Sequence, residues 1–360
     1  MRTLATTGRN VSSAGTAVAV VLALPSISVL AVFALLMALA PTPAAAGMTT
    51  QTAGELSLVV GYSDGNDWVG ALPGSQRSAA GFEHFAKFST DRGDIVTTNL
   101  QLRASYDSCA PSDEAWALEV HNAWLEYRLG LGKKLRIGHF SPAHGLEPVR
   151  DTHGTLAQTL VGMDLGFKKD WGIGYSGIAG PLDLEVALQL GSGMAPAPDD
   201  GSYLASAQVW TPPGRDSRFG VSIVRGDLRK ATQARTLPLP DYAEESVEIS
   251  RAALSVEHSA GAFMVLAEAS AGVDDSSTVG GALFQVDYSP PSNQRWLFAW
   301  QVRVWDSDLA RGGFSTVTGI AAAGYKVTDR LTVRAALTEL ARDCDHAEAQ
   351  ATIQLYYYGG

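Results

Sequence analysis

The sequence predicts an all-β protein, a transmembrane antiparallel β-barrel of about sixteen strands, and three observations lead to this class. The stretch 182–190 alternates between aliphatic residues and Asp183, Glu185, Ala187 and Gln189. Because successive side chains of a strand point to opposite faces, this stretch has an apolar wall and a polar wall. The pattern recurs along most of the chain, short and long connections alternate, and an apolar leader comes first, as in outer-membrane barrels.

Residues 1–46 have the features of a cleaved secretory signal. Two arginines give a positive start, residues 17–40 are almost entirely apolar, and small residues precede the expected cleavage after Ala46. An uncleaved membrane helix is the alternative, since the apolar stretch is long enough to span a bilayer. The Ala-x-Ala ending favours cleavage, so we expect residues 47–360 to form the barrel.

The charge balance excludes one class of partner. The chain has a formal net charge of −10, and removing the leader removes two arginines and no acids, which gives −12. An acidic chain lacks the basic surface that binds nucleic acid. No apolar stretch after the leader is long enough for a membrane helix, but a barrel strand needs only about 10 alternating residues to cross a bilayer. The expected partners are outer-membrane lipid and small solutes or inorganic ions.

Sixteen strands are predicted after the leader. They cover residues 55–62, 82–90, 94–106, 115–129, 133–141, 168–178, 181–191, 203–210, 217–225, 246–257, 261–271, 279–288, 295–305, 315–325, 330–340 and 347–358. Both termini then lie on the rim with the short turns, which requires an even number of strands. The alternation slips near Asn122 and Arg251, where we expect bulges or a contact with protein in place of lipid.

A soluble sandwich or barrel would also alternate. Its apolar face would form a core, however, and sixteen strands in one series of hairpins rarely do so. The charged residues of the other face would be costly to bury unless paired. The membrane barrel is therefore the favoured interpretation.

The most distinctive block runs from residue 135 to 148 (LRIGHFSPAHGLEP) and continues at 164–174 (DLGFKKDWGIG). Here the sequence resembles the phosphate-selective porin O and P family, in which a strand ends in a Gly-x-Phe-x-x-Pro-x-Gly-Leu-Glu-like run and a loop and an Asp-x-Gly-like strand follow. The resemblance covers residues 119–190. It implies a sixteen-stranded porin of a Gram-negative outer membrane, usually a homotrimer, that passes small anions or other small solutes.

The chain departs from that family in its charges. The family's selectivity depends on lumen arginines and lysines, which have no individual match here. The mature chain is acidic and its inward-facing charges are mixed. A general porin is therefore favoured over a phosphate-selective one.

Residues 142–167 form the longest connection, and its apolar composition predicts that it folds into the lumen and narrows the channel. Glu147, Arg150 and Asp151 either line this constriction or pair with one another and hold the loop to the wall. Further inward-facing charges belong to strands. The candidate pore-lining residues are Arg103, Arg136, Glu147, Arg150, Asp151, Asp183, Glu185, Arg295, Arg303, Arg330 and Arg334.

The arginines of the thirteenth and fifteenth predicted strands and the acids of the seventh lie far apart around a ring of sixteen. Arg295, Arg303, Arg330 and Arg334 would then form a basic wall, and Asp183 and Glu185 an acidic one. Such walls select ions and orient dipolar solutes. The alternative is that neighbouring charges simply neutralise one another in a wet lumen.

The sequence contains no pattern typical of a cofactor or of catalysis. His139, His144 and His153, with Glu147 and Asp151, match no standard metal spacing. There is no CxxCH motif for haem attachment and no serine-centred, HExxH or paired-acid motif. Neither a cofactor nor an enzymatic activity is expected. Cys109 and Cys344 fall in predicted loops on one side of the barrel, and whether they form a disulfide is left open.

Passive diffusion of small hydrophilic solutes or ions is the expected function, since about 16 strands leave an aqueous channel. Two alternatives remain. The barrel is the sheath of a porin–cytochrome electron conduit, or it is an outer-membrane enzyme or adhesin. Both predict a blocked lumen.

Overall fold

The structure is a computed structural model that describes residues 47–63, 66–69, 77–91, 93–107, 115–150, 152, 154–194, 201–214, 216–228, 247–310, 316–342 and 348–360. The leader, Cys109 and Cys344 lie outside these residues, and so do the expectations that depend on them. The strands are β1 (Gly47–Ser63), β2 (Asn66–Val69), β3 (Ser78–Thr90), β4 (Gly93–Tyr106), β5 (Trp116–Gly130), β6 (Lys133–Phe140), β7 (Asp170–Ala179), β8 (Leu182–Gln189), β9 (Tyr203–Trp210), β10 (Ser217–Leu228), β11 (Val247–Ala260), β12 (Phe263–Asp274), β13 (Ser277–Tyr288), β14 (Trp296–Asp306), β15 (Thr316–Lys326), β16 (Leu331–Arg342) and β17 (Glu348–Gly359), and helix α1 is Val161–Asp164.

The strands pair antiparallel in chain order and close into a barrel of sixteen strands, which confirms the predicted fold class. β1 pairs with β3 on one side and with β17 on the other. β2 pairs with the end of β1 beyond β3, so it extends the position of β3 and adds no strand to the ring. At the seam between the chain ends, Gln354 Nε2 donates a hydrogen bond to Ser57 Oγ at 3.1 Å.

The connections divide between two rims as predicted, with one exception. β3 and β4, β5 and β6, and β7 and β8 are joined by turns of two residues, and β1 begins at the same rim because Gly47 pairs with Ser89. The connection from β12 to β13, predicted as one of the longer ones, is a turn of only two residues. Its Asp275 has φ +49°, a left-handed conformation that aspartate tolerates better than most residues.

Where the structure describes the side chains, most strands have an exposed apolar face and a largely polar face buried inside the ring. On β10 and β11, Val221, Ile223 and Leu254 are 54%, 59% and 63% exposed, whereas Ser222 and Ser255 are 3% exposed. A ring with apolar residues outside and polar residues inside suits a lipid surrounding. In the described part of the chain, no helix is long and apolar enough to span a membrane.

The two predicted irregularities have different outcomes. His121 is an extra residue in β5 opposite β4, so the bulge expected near Asn122 is confirmed. β11 is in regular register with both neighbours, so a bulge near Arg251 is wrong. The alternation breaks there because Ile249 faces inward, where it joins an apolar cluster with Phe167 and Leu204.

Candidate functional site

The 142–167 segment connects β6 to β7 and contacts inward-facing side chains of strands from β9 onwards around the ring. Its first residues donate backbone hydrogen bonds to three of these strands. The bonds join Ala143 to Ser206 Oγ of β9 (3.0 Å), Gly145 to Ser222 Oγ of β10 (3.0 Å) and Leu146 to Glu268 Oε2 of β12 (2.6 Å). Since backbone groups make these bonds, the contact depends on the path of the chain and less on its side chains.

Apolar packing accompanies the hydrogen bonds. Leu146 and Leu160 are buried in a cluster with Trp210, Leu266 and Trp305, which face inward from β9, β12 and β14. This explains why an apparently apolar connection is stable here: the wall that it covers supplies apolar partners. Burying each leucine side chain contributes about 1.5–3 kcal/mol relative to exposure.

A buried ionic cluster fixes the end of the segment, and we call it the Arg251 cluster (Arg251, Asp164, Asp274 and His144). Arg251 of β11 donates to Asp164 Oδ1 at 2.5 Å and to Asp274 Oδ1 at 2.5 Å, and its side chain is only 1% exposed. His144 Nε2 lies 2.8 Å from Asp164 Oδ2. The cluster therefore joins both ends of the segment to β11 and β12.

The electrostatics of Asp164 follow from this geometry. Burial opposes ionisation of its carboxyl group, but the interactions with His144 and Arg251 outweigh burial and hold the pKa of Asp164 well below its ordinary value. Asp164 is therefore the ionised partner of Arg251 in this cluster. Because a buried carboxylate is costly unless paired, the segment is held where its partners are.

Ser222, His144 and Asp164 form a hydrogen-bonded row that resembles a catalytic triad. Ser222 Oγ lies 3.1 Å from His144 Nδ1, and the other ring nitrogen contacts Asp164. The ring nitrogens exchange roles relative to serine proteases, in which the serine contacts Nε2. Ser222 is only 3% exposed and its oxygen also accepts the N–H of Gly145. The row thus anchors the segment, and the Ser222 hydroxyl group is buried within it.

The middle of the segment reaches strands close to the seam. Arg150 donates to Asp287 Oδ2 of β13 at 2.5 Å, and Gln301 of β14 donates to the carbonyl group of Gln158 at 2.8 Å. A Cβ atom added to Gly154 would lie 2.5 Å from the ring of Tyr356 on β17. The segment therefore follows the inner wall from β9 to β17 and leaves β3 to β8 uncovered by these contacts.

The three charges predicted for the constriction behave differently. Glu147 is 7% exposed and accepts hydrogen bonds from Thr152 and Thr159 within the segment. Arg150 holds the segment to the wall through Asp287 and keeps 29% of its side chain exposed. Asp151 lies outside the described residues. Of the two described charges, Arg150 thus holds the segment to the wall and also contacts solvent, whereas Glu147 is buried and bonded within the segment.

The strand residues predicted to line the lumen are mostly paired with neighbours. Arg103 contacts Glu119 at 2.5 Å, and Arg136 contacts Glu126 at 2.8 Å. The acids of β8 also have cations beside them: Asp183 lies 3.6 Å from Arg218, and Glu185 lies 3.8 Å from Arg136. For these acids the neutralising arrangement describes the structure better than an isolated acidic wall.

The four arginines of the predicted basic wall separate into two groups. Arg303 of β14 is buried and donates to the carbonyl group of Thr159 at 3.4 Å, while Arg334 of β16 donates to Gln354 at 3.0 Å. Arg295 and Arg330 lie in exposed turns at the short-turn rim and not on the wall, because β14 begins at Trp296 and β16 at Leu331.

Several inward-facing groups escape the sequence analysis. They are the acids Glu126, Glu268 and Asp274 and the indole of Trp124, none of which is marked as a lumen residue by an arginine-based pattern. One signal existed for Arg251, since the break in alternation at β11 marks the strand that meets the segment.

Among the described residues, no group of three or more His, Cys, Asp or Glu side chains is placed so that it could hold a metal ion. His139 is fully buried beside Trp171, with 5.1 Å between ring centroids, and His144 belongs to the Arg251 cluster. His153 lies outside the described residues.

No family model and no curated protein matches the chain, so the resemblance to the phosphate-selective family rests on residues 119–190 alone. Solved porin structures are similar in fold. The anion-selective porin from Comamonas acidovorans is 10% identical with a TM-score of 0.62, over 87% of this chain and 100% of that one. OmpF of Salmonella typhi, in a complex with daunomycin, is 9% identical with a TM-score of 0.61, over 86% and 97%.

The trimer form of in-vitro folded OmpT, an outer membrane protein of Vibrio cholerae, is 11% identical with a TM-score of 0.60, over 87% of this chain and 99% of that one. At such low identities the likeness concerns the fold, and it extends over nearly the full length of each of these three structures. This chain therefore has the closed sixteen-strand fold of outer-membrane porins.

Proposed function

We propose that the chain is an outer-membrane porin of a Gram-negative bacterium, exported with a cleaved leader of residues 1–46. It lets small hydrophilic solutes or ions diffuse passively, without a cofactor or an enzymatic activity. The 142–167 segment narrows the lumen from one side. The similar structures include an anion-selective porin and the trimer form of an outer membrane protein, which supports this function, the localisation and a homotrimer here.

The observation that carries the proposal is the solvent exposure of inward-facing charged side chains. Arg136 and Arg150 face inward, and each keeps 29% of its side chain exposed. Nearer the short-turn rim, Lys87 and Lys134 face inward and are 43% and 48% exposed. A packed core would cover such charges at a high cost, so their exposure fits an aqueous passage along β3 to β6.

Single-channel recording in a planar bilayer tests the proposal. The refolded protein should give stepwise conductance in potassium chloride. Folding is checked on a gel, where the unheated sample of a folded barrel migrates faster than the heated sample. A folded barrel that never conducts would contradict the porin proposal. That result would favour the cytochrome sheath or the enzyme and adhesin alternatives, both of which need a blocked lumen.

Two adjacent lysines offer a matched pair for ion selectivity. Lys134 faces inward beside Glu126 at 2.7 Å, whereas Lys133 belongs to the outward side of the same strand. Lys134→Glu and Lys133→Glu change the total charge equally. In a salt gradient, Lys134→Glu should move the zero-current potential towards cation preference, and Lys133→Glu should move it less. Equal shifts would show that the wall of β6 does not govern selectivity. Native mass spectrometry in detergent tests the trimer.

A further inference from the structure

A cavity of about 480 Å³ opens on the inner face of β3 to β6 near the short-turn rim, and we call it the vestibule cavity. Its size falls within the range of small-molecule sites, about 300–1,000 Å³. It lies on the wall that the contacts of the 142–167 segment leave uncovered. A solute that passes along this wall meets the cavity before it leaves the barrel.

The charge of the vestibule cavity is opposite to that of the chain. Four cations line it, Lys87, Arg128, Lys134 and Arg136, and two carboxylates, those of Asp94 and Glu126, so its formal charge is +2. The whole chain carries −10. Glu185 approaches Arg136 at 3.8 Å from β8 but does not line the cavity. Positive charge is therefore concentrated where a solute can contact it.

The cations of the cavity outnumber the acids that pair with them. Lys134 and Arg136 share Glu126, at 2.7 and 2.8 Å. Among the described residues, Arg128 has no carboxylate within ion-pair distance, and its Nε donates only to the carbonyl group of Gly130 at 3.4 Å. A carboxylate brought in by a solute would give these cations a further acceptor, and charge-assisted hydrogen bonds are stronger than neutral ones.

Aromatic rings form the other part of the lining. Phe85 and Trp124 meet edge to face, with centroids 6.4 Å apart and planes at 82°. The guanidinium carbon of Arg136 lies 5.0 Å from the centroid of Trp124, and Lys87 Nζ lies 5.6 Å from that of Phe85. The cavity thus places apolar rings directly beside cations. A planar solute with a ring at one end and a negative charge at the other would satisfy both parts at once.

We propose that the vestibule cavity binds small aromatic carboxylates, such as benzoate, as they pass through the barrel. The inference deepens the proposed function and rests on it, because the solute reaches the cavity from the lumen. It differs from a general preference for anions. Inorganic phosphate and acetate carry the charge without a ring, so they should bind more weakly than benzoate.

The first test compares sodium benzoate, sodium acetate and sodium phosphate as additives during single-channel recording in potassium chloride. Benzoate should interrupt the current at about five- to tenfold lower concentration than acetate, which corresponds to one favourable aromatic contact. Trp124→Leu should abolish this difference, because it removes the ring of the cavity that contacts Arg136. Trp300→Leu, which removes an outward-facing indole instead, should leave the difference unchanged.

Tryptophan fluorescence of the detergent-solubilised barrel gives a readout that does not need conduction. Benzoate should change the emission of the wild-type protein and of Trp300→Leu, and Trp124→Leu should lose this change. If Trp124→Leu fails to fold, Phe85→Leu removes a ring from the same cavity and should weaken benzoate binding in both assays. Acetate or phosphate acting as strongly as benzoate, or Trp124→Leu and Phe85→Leu binding it unchanged, would overturn the inference. A folded barrel that binds benzoate but does not conduct would overturn only the porin proposal.

Discussion

Replacing Arg251 with methionine should loosen the 142–167 segment without unfolding the barrel. The side chain is 1% exposed and contacts two carboxylates, those of Asp164 and Asp274, at 2.5 Å each. Methionine retains apolar bulk beside Trp305, whose ring centroid lies 5.2 Å from the guanidinium carbon. It leaves both carboxylates without their arginine, so the loss is electrostatic and local.

The size of the effect follows from the burial of the pair. Removing one partner of a buried ion pair costs about 3–5 kcal/mol. If that free energy holds the segment to the wall, the detached fraction rises roughly 100- to 5,000-fold. The barrel itself keeps all of its strand pairing, because Arg251 contributes no backbone bond that methionine lacks. We therefore expect noisier single-channel current and faster protease cleavage within the segment.

Arg225 provides a matched control on the neighbouring strand. It forms an ion pair with Glu248 at 3.0 Å, but both side chains are largely exposed, at 68% and 61%. Solvent screens such pairs, so Arg225→Met should leave current noise and cleavage unchanged. Adding Asp164→Asn to Arg251→Met removes one of the two orphaned charges and should recover part of the loss. If Arg251→Met folds and its current noise and cleavage rate equal those of wild type, the Arg251 cluster does not anchor the segment.

Three further predictions use other parts of the structure. Because the pKa of Asp164 is lowered, its stabilising effect is present above the ordinary carboxyl pKa of about 3.9 and is lost only as the pH falls through the lowered value. Current noise should therefore be higher in Asp164→Asn than in wild type at pH 7, and the difference between the two proteins should persist at pH 4; a difference that disappears by pH 4 would contradict the prediction. Ser222→Ala removes the hydroxyl group that contacts Gly145 and His144, at about 1–3 kcal/mol per unsatisfied group, so it should increase current noise. Neither this variant nor the wild type should hydrolyse a p-nitrophenyl ester. Hydrolysis by the wild type alone would establish the enzyme alternative. Gly138→Ala should lower the melting temperature on heated gels or prevent folding, because Gly138 has φ +126° and an added Cβ would lie 2.1 Å from the carbonyl oxygen of Ala123. Gly319→Ala is the control and should be neutral, because nothing lies within 4 Å of its added Cβ. Equal melting temperatures for the two variants would refute the argument.

The strands could be predicted from the sequence because each one has a single periodicity and a clear boundary. All sixteen predicted strands are found, and the main differences are at the ends, where β1 begins at Gly47 rather than at residue 55. Alternation reports which face meets lipid, and lipid accepts any apolar side chain. The bulge at His121 could also be predicted, because an extra residue shifts the alternation of the strand residues that follow it.

The inner contacts could not be predicted in the same way. Arg251 meets Asp164 across 87 positions of sequence, and no local pattern specifies which wall a long connection will cover. Ile249 faces inward, where it packs in one buried cluster with Phe167 of the segment. It therefore breaks the alternation of β11 and at the same time contributes to the packing of the segment. The predicted wall positions of Arg295 and Arg330 are wrong for a simpler reason. Each strand begins one residue later than predicted, so each arginine lies in a turn and not on the wall.

The seam of the ring sets the order in which the barrel can assemble. Ser57 and Gln354 form a hydrogen bond across the seam although they are 297 positions apart. The backbone groups on that edge of β1 therefore remain unpaired until β17, the last strand of the chain, is in place. Pairing between such distant residues is slow, and an unsatisfied strand edge recruits other chains. A polypeptide that stops before β17 therefore forms an open sheet with unpaired edges, which is prone to aggregate. Closure of the ring therefore requires the intact chain, because β1 keeps an unpaired edge until β17 reaches it.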